Sequence, residues 1–124
     1  RTMEFKIVLA EDDPQIARLV TFKLDREGYL TTWADDGGKA YEAIVSILPD
    51  LVILDVMMPV MTGFEVLEKM KNNEMTRNIP VIILTSKSQE QDVLKGFSHG
   101  ISDYIIKPFS PSELIARIKR TLGG

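Results

Sequence analysis

The stretch "LVILDVMMPV", residues 51–60, decides the fold. Four apolar residues, Leu51 to Leu54, run without alternation into a single acid, Asp55, and Pro59 follows four positions later. A short continuous run of Leu, Val and Ile suits a strand buried on both faces, as in a parallel sheet covered by helices. Such a strand has little structural use for a carboxylate. Proline cannot donate to the ladder, so the strand must stop and leave Asp55 at its carboxyl end.

Four further runs of the same kind flank this one: "FKIVLA" (5–10), "YLTTWA" (29–34), "VIILT" (81–85) and "DYIIK" (103–107). The segments between them have helical spacing. Pro14 suits a first helical position with Asp13 as N-cap, and Ile16, Leu19, Val20 and Leu24 then share a face until Gly28. Ala40, Ala43, Ile44, Ile47 and Leu48 mark a second helix stopped by Pro49, and Phe64, Val66, Leu67 and Met70 a third. Val93, Leu94 and Phe97 mark a fourth ending near Gly100. Ser110, Pro111 and Glu113 open a fifth, whose core face is Leu114, Ile115, Ile118 and Leu122. The pattern is (βα) five times over. Right-handed crossovers then make a doubly wound parallel sheet.

The chain of 124 residues, with 44% hydrophobic and 27% charged residues, has material for one domain with one substantial core. Residues 1–4 read as an N-terminal extension, 5–122 as the domain, and 123–124 as a tail or the start of a linker. Cysteine is absent, which excludes a disulfide framework and a thiolate metal site and agrees with a cytoplasmic location. A net charge of −3 argues against direct nucleic-acid binding through a basic face. No apolar run approaches the roughly 20 residues of a membrane span. The apolar start "FKIVLA" is too short for a signal peptide and runs straight into "EDD".

In doubly wound sheets the site lies outside the carboxyl ends of the strands. There the first strand presents Glu11, Asp12 and Asp13, the third Asp55, the fourth Thr85 and Ser86, and the fifth Lys107 and Pro108. Clustered carboxylates repel and raise one another's pKa, and a hard divalent cation relieves this. Ligands that are all oxygen suit Mg²⁺. Lys107 adds a positive charge that can pair with Asp55. A carboxylate between Mg²⁺ and an ammonium is suited to accept a phosphoryl group, with the Thr85 hydroxyl bonding one of its oxygens.

The motifs "IVLAEDD", "DLVILDVMMPVMTG", "VIILTS" and "GISDYIIKPFSPSEL" resemble the receiver domains of two-component response regulators over residues 5 to 122. The resemblance implies a flavodoxin-like sheet of order 2-1-3-4-5 and a phosphorylation-controlled signalling switch rather than an enzyme with an independent substrate. It makes Asp55 the phosphoacceptor and Asp12 a direct Mg²⁺ ligand. Glu11 would act through water and Met57 through its backbone carbonyl. Thr85 and Tyr104 become the switch pair, and Lys107 precedes a cis proline. The phosphoryl donor would be a histidine kinase or phosphotransfer protein. The responding face, on the fourth helix, fifth strand and fifth helix, would engage an output domain or partner, with transcription control the favoured output. Asp103, Glu113 and Arg117 match a face on which DNA-binding members form phosphorylation-dependent homodimers; a solvated Glu113–Arg117 helical pair is the alternative.

"GISD" departs from the family's frequent "GADD", and Ala10 stands where Val or Ile is common. Met57 and Lys87 match positions that tune the phosphoryl lifetime, and their bulk is expected to slow self-hydrolysis. His99 reads as a favourable charge at a helix C-terminus, and Trp33 is expected near the acidic edge. Two competing readings are a Mg²⁺-dependent aspartyl phosphohydrolase and a constitutive docking or dimerisation module. The former wants a second acid where Met57 stands; the latter does not need the complete set of chemical residues.

Overall fold

The structure, a computed structural model, describes residues 4–96 and 100–123. Five strands alternate with five helices: β1 (Lys6–Ala10), α1 (Pro14–Arg26), β2 (Leu30–Ala34), α2 (Gly37–Ile47), β3 (Leu51–Asp55), α3 (Gly63–Lys71), β4 (Val81–Ser86), α4 (Glu90–Gly96), β5 (Asp103–Lys107) and α5 (Pro111–Thr121), with a 3₁₀ turn at Lys87–Gln89. The strands form one sheet in the order β2-β1-β3-β4-β5, and every pairing is parallel. The (βα)₅ pattern and the sheet order are those expected.

β3 is central and every one of its residues is buried. Its side chains alternate between two cores, as a strand's period of two requires. Val52 and Leu54 join Val8, Ile83 and the inner faces of α2 and α3; Leu51 and Ile53 join Ile7, Leu9 and the inner faces of α1 and α5. At about 25 cal/mol per Å² of apolar surface, two such cores dominate the stabilising side of folding.

The helix ends explain themselves locally. The Asp13 carboxylate accepts from the amides of Gln15 (2.9 Å) and Ile16 (3.4 Å), capping α1. At its other end the amides of Gly28 and Tyr29 donate to Asp25 O and Leu24 O. This is the paired C-terminal closure that needs the left-handed backbone of Gly28, φ 90°. Thr62 and Glu65 cap α3 reciprocally: the Glu65 amide donates to Thr62 Oγ1 and the Thr62 amide to Glu65 Oε1. Ser110 Oγ accepts from the Glu113 amide as expected for α5.

Some expectations need correction. Leu19 and Leu94, assigned to core faces, are 51% and 41% exposed. The buried stripe of α1 is Ala17, Val20 and Leu24, and Leu19 falls on its shoulder. α2 begins at Gly37, before its first apolar marker, because Asp36 caps it through the Lys39 amide. Leu48 is not part of its core face: it takes a left-handed conformation, φ 51°, and ends the helix. β2 is an edge strand, so Leu30, Thr32 and Trp33 are exposed rather than covered. Phe97, His99 and the first three residues lie outside the described residues.

Candidate functional site

Parallel register assembles the site. Ala10 stands level with Leu54, so the next residues, Glu11 and Asp55, leave adjacent strands side by side. Asp55 is level with Leu84, and Ser86 with Lys107. Four strands thus deliver Glu11, Asp55, Thr85 and Lys107 to one edge. Glu11 and Thr85 are wholly buried and Asp55 nearly so, while Asp12 is exposed. One carboxylate oxygen from each of Glu11, Asp12 and Asp55 lies within 4.8 Å of the others.

Gly63 holds the loop after Asp55 in place. A Cβ there would collide with the Asp55 carbonyl oxygen, so only glycine lets α3 start against the Asp55 backbone. The Gly63 amide donates to Val56 O at 2.9 Å.

Lys107 Nζ donates to Asp55 Oδ2 at 3.0 Å. It lies equally close to Glu11 Oε1, but off hydrogen-bond alignment, so this buried oxygen has an ion-pair neighbour and no donor. Glu11 Oε2 accepts from the Asp13 amide at 3.1 Å. Burial, and then the adjacent Asp55 carboxyl, push the Glu11 pKa up to about 7, against the smaller downward pull of Lys107. For Lys107, burial acts to lower the pKa, but the neighbouring Glu11 and Asp55 carboxylates together outweigh that and raise it. The cluster is therefore short of positive charge, and the ammonium is held firmly protonated.

The Thr85 hydroxyl donates to Ser86 O at 3.2 Å, not to Asp55. The Tyr104 hydroxyl donates to Glu90 Oε2 at 2.9 Å, and Lys87 Nζ sits 3.3 Å from Glu90 Oε1. The Lys107–Pro108 bond is cis.

The model of the response regulator receiver domain matches residues 7–119 of this sequence. The chain belongs to the response regulator receiver family. Receiver domains are the signalling domains of two-component systems. The DNA-binding dual master transcriptional regulator RpaA of Synechocystis sp. is 40% identical over 94% of this chain and 48% of its own length. The phosphate regulon transcriptional regulatory protein PhoB of Escherichia coli is 39% identical over 97% of this chain and 52% of its own. The chain thus spans about half the length of these curated relatives. A crystal structure of the receiver domain of the sensor histidine kinase PA1611 from Pseudomonas aeruginosa, with a magnesium ion coordinated in its active-site cleft, aligns with a TM-score of 0.88. The identity is 28%, over 98% of this chain and all of that one.

In this receiver domain a cleft of about 370 Å³ opens over the acids, walled by Met57, Ser86, Ser88 and Gln89. A larger groove, about 610 Å³, runs along the unpaired edge of β2 from Lys6 and Leu30, at the opposite end of the strands. It gathers no comparable cluster of charge, and the acidic cleft is the functional candidate. Met57 lines that cleft. Lys87 does not: the 3₁₀ turn swings it outward, and it is spent on Glu90. The same turn brings Ser88 and Gln89 to the cleft, which no spacing rule foretold.

The three residues of the expected dimer face are tied together within the protomer. Arg117 Nη1 lies 2.9 Å from Asp103 Oδ1 and Nη2 lies 3.3 Å from Glu113 Oε2. Arg120, one helical turn from Arg117 and not among the expected residues, adds a 2.8 Å contact to Asp103 Oδ2. Among the described residues no helix is long and apolar enough to cross a membrane.

Proposed function

We propose that this receiver domain accepts a phosphoryl group on Asp55 from the phosphohistidine of a histidine kinase or phosphotransfer protein, and that the acyl phosphate repacks the α4–β5–α5 face. The observation that carries the reading is the charge balance: three carboxylates cluster together, the Lys107 ammonium pairs with only Glu11 and Asp55 among them, and the buried Glu11 Oε1 is left without a hydrogen-bond donor. An oxygen-only set of this kind fits Mg²⁺, and the related PA1611 receiver is described with that ion in its cleft. Asp12 would hold the ion directly, Glu11 through water, with Asp55 and the Met57 carbonyl completing the protein's share. When bound, Mg²⁺ neutralises charge on the phosphoryl oxygens and relieves repulsion among the acids.

The residues then divide the work. The Asp55 carboxylate attacks phosphorus in line; the N–P bond breaks and its electron pair returns to the imidazole. Lys107 leaves its pairing with Asp55 Oδ2 for the equatorial phosphoryl oxygens. Thr85 exchanges its bond to Ser86 O for a phosphoryl oxygen. Its movement makes room for Tyr104, which gives up Glu90 and turns inward. The bistable element is the Thr85–Tyr104 packing, and the new charge biases it.

The responding face would act on an output domain or partner protein. Relatives twice this length that are named as transcriptional regulators favour a DNA-binding output. Asp103, Glu113 and Arg117 would re-pair across a homodimer when the face changes.

The test is intact mass after incubation with acetyl phosphate, with and without Mg²⁺, beside Asp55→Asn. A single Mg²⁺-dependent phosphoryl adduct, absent from the variant, is the expected result. A folded wild-type protein that gains no adduct from acetyl phosphate or from any kinase would overturn the reading and favour constitutive docking.

A further inference from the structure

We propose that Trp33 is a positioning residue of the metal site: its indole N–H fixes the β1–α1 turn so that Glu11 and Asp12 face the ion together. This rests on the Mg²⁺ site proposed above.

The geometry is specific. β1 pairs with β2 as far as Ala10 and Ala34, and there the ladder ends. One more backbone bond follows, from the Glu11 amide to Ala34 O at 3.1 Å. The next acceptor, the Glu11 carbonyl, belongs to a wholly buried residue and lies beyond the ladder. A buried carbonyl with no partner is costly, so the turn needs a donor at that point. Trp33 Nε1 supplies it, at 2.7 Å across 22 positions of sequence. Glu11 is thereby held on both backbone groups by the end of β2, and the direction in which the chain leaves towards Asp12 is set.

The rest of Trp33 does little for the core. It is 44% exposed and belongs to neither apolar cluster. A smaller apolar residue would serve an edge strand as well, so the hydrogen bond is the feature that calls for an indole. Losing it would leave both cores intact and free the turn. The acids would then share a cation-ready arrangement for a smaller fraction of the time, and the apparent affinity falls by that fraction.

Trp33→Phe keeps a ring and removes the donor. Calorimetric Mg²⁺ titration of the folded variant is expected to show a Kd about fivefold weaker than wild type. Asp12→Asn weakens binding by itself, and adding Trp33→Phe to it is expected to cost little more, because the two act through one turn. A purely structural tryptophan would lower the melting temperature in chelator and leave Kd untouched, and that result would overturn the proposal. So would a full fivefold loss on top of Asp12→Asn. A wild-type protein that binds no Mg²⁺ would instead sink the metal reading itself.

Should Trp33→Phe fail to fold, the wild-type protein still decides. Trp33 is the sole tryptophan, so the indole N–H gives one resonance. It is expected to shift during Mg²⁺ titration with the calorimetric Kd. A resonance unmoved at saturation would overturn the positioning role.

Discussion

Replacing Glu11 by glutamine should stabilise the protein at alkaline pH and not at acid pH. The Glu11 pKa stands at about 7 in the folded state against an ordinary 4.5. Between those values the folded protein keeps a proton that the unfolded chain has released. Stability therefore falls as pH rises through that window, and the whole penalty is present above pH 7. At 1.36 kcal/mol per pKa unit the penalty is on the order of 3 kcal/mol, with burial and the Asp55 carboxyl as its causes. Glutamine has the shape of the protonated acid and no charge to bury. In urea unfolding with a chelator present, Glu11→Gln should match wild type near pH 4.5 and exceed it by about 2–3 kcal/mol at pH 8. Saturating Mg²⁺ should stabilise wild type more than the variant and narrow the gap. A gain of equal size at both pH values, or a loss at pH 8, would refute the reasoning, because neither follows from a charge held against its preference.

The same proton competes with the ion, so Mg²⁺ affinity should weaken below pH 7, approaching about tenfold per pH unit, as read by calorimetry. Gly63→Ala should destabilise by roughly 1–3 kcal/mol in the same unfolding assay, because its Cβ meets the Asp55 carbonyl oxygen and neither backbone can yield cheaply. Glu90→Ala should lower the Tyr104 pKa towards its ordinary value. The hydrogen bond to Glu90 is the largest cause of its rise, and residue-resolved NMR titration reads the change. Thr62→Ala should cost about 1 kcal/mol by removing the hydroxyl half of the α3 cap, visible as a lower urea midpoint.

Much of the site is legible in the amino-acid sequence. Leu51 to Leu54 announced a strand covered on both sides, and Pro59 announced its end, so Asp55 had to sit at a sheet edge. The five runs and their helical spacers placed Glu11, Asp12, Thr85 and Lys107 at that same edge. These readings succeed because the signals are local: a period of two or of 3.6, a capping side chain, a proline that cannot donate. The errors were also local in origin. Leu19 and Leu94 have apolar side chains at helical spacing, but spacing does not say how wide the buried stripe is. Leu48 reads as part of α2 because an apolar residue carries no sign that its backbone will turn left-handed.

What the sequence by itself determined is the alternation of elements and the inventory of charges at the strand ends. Tertiary structure alone decided how those charges share protons and partners. Register sets Glu11 beside Asp55, and burial then makes Glu11 the acid that holds its proton towards neutrality. The short 3₁₀ turn after β4 sends Lys87 to Glu90 and Gln89 to the cleft, although the two residues are only two apart. An indole on an edge strand closes the carbonyl of Glu11, just past the end of β1, from 22 residues away. A pKa depends on desolvation and neighbouring charge, and a hydrogen bond on fractions of an ångström. Both are properties of the assembled edge, where residues distant in the chain first meet.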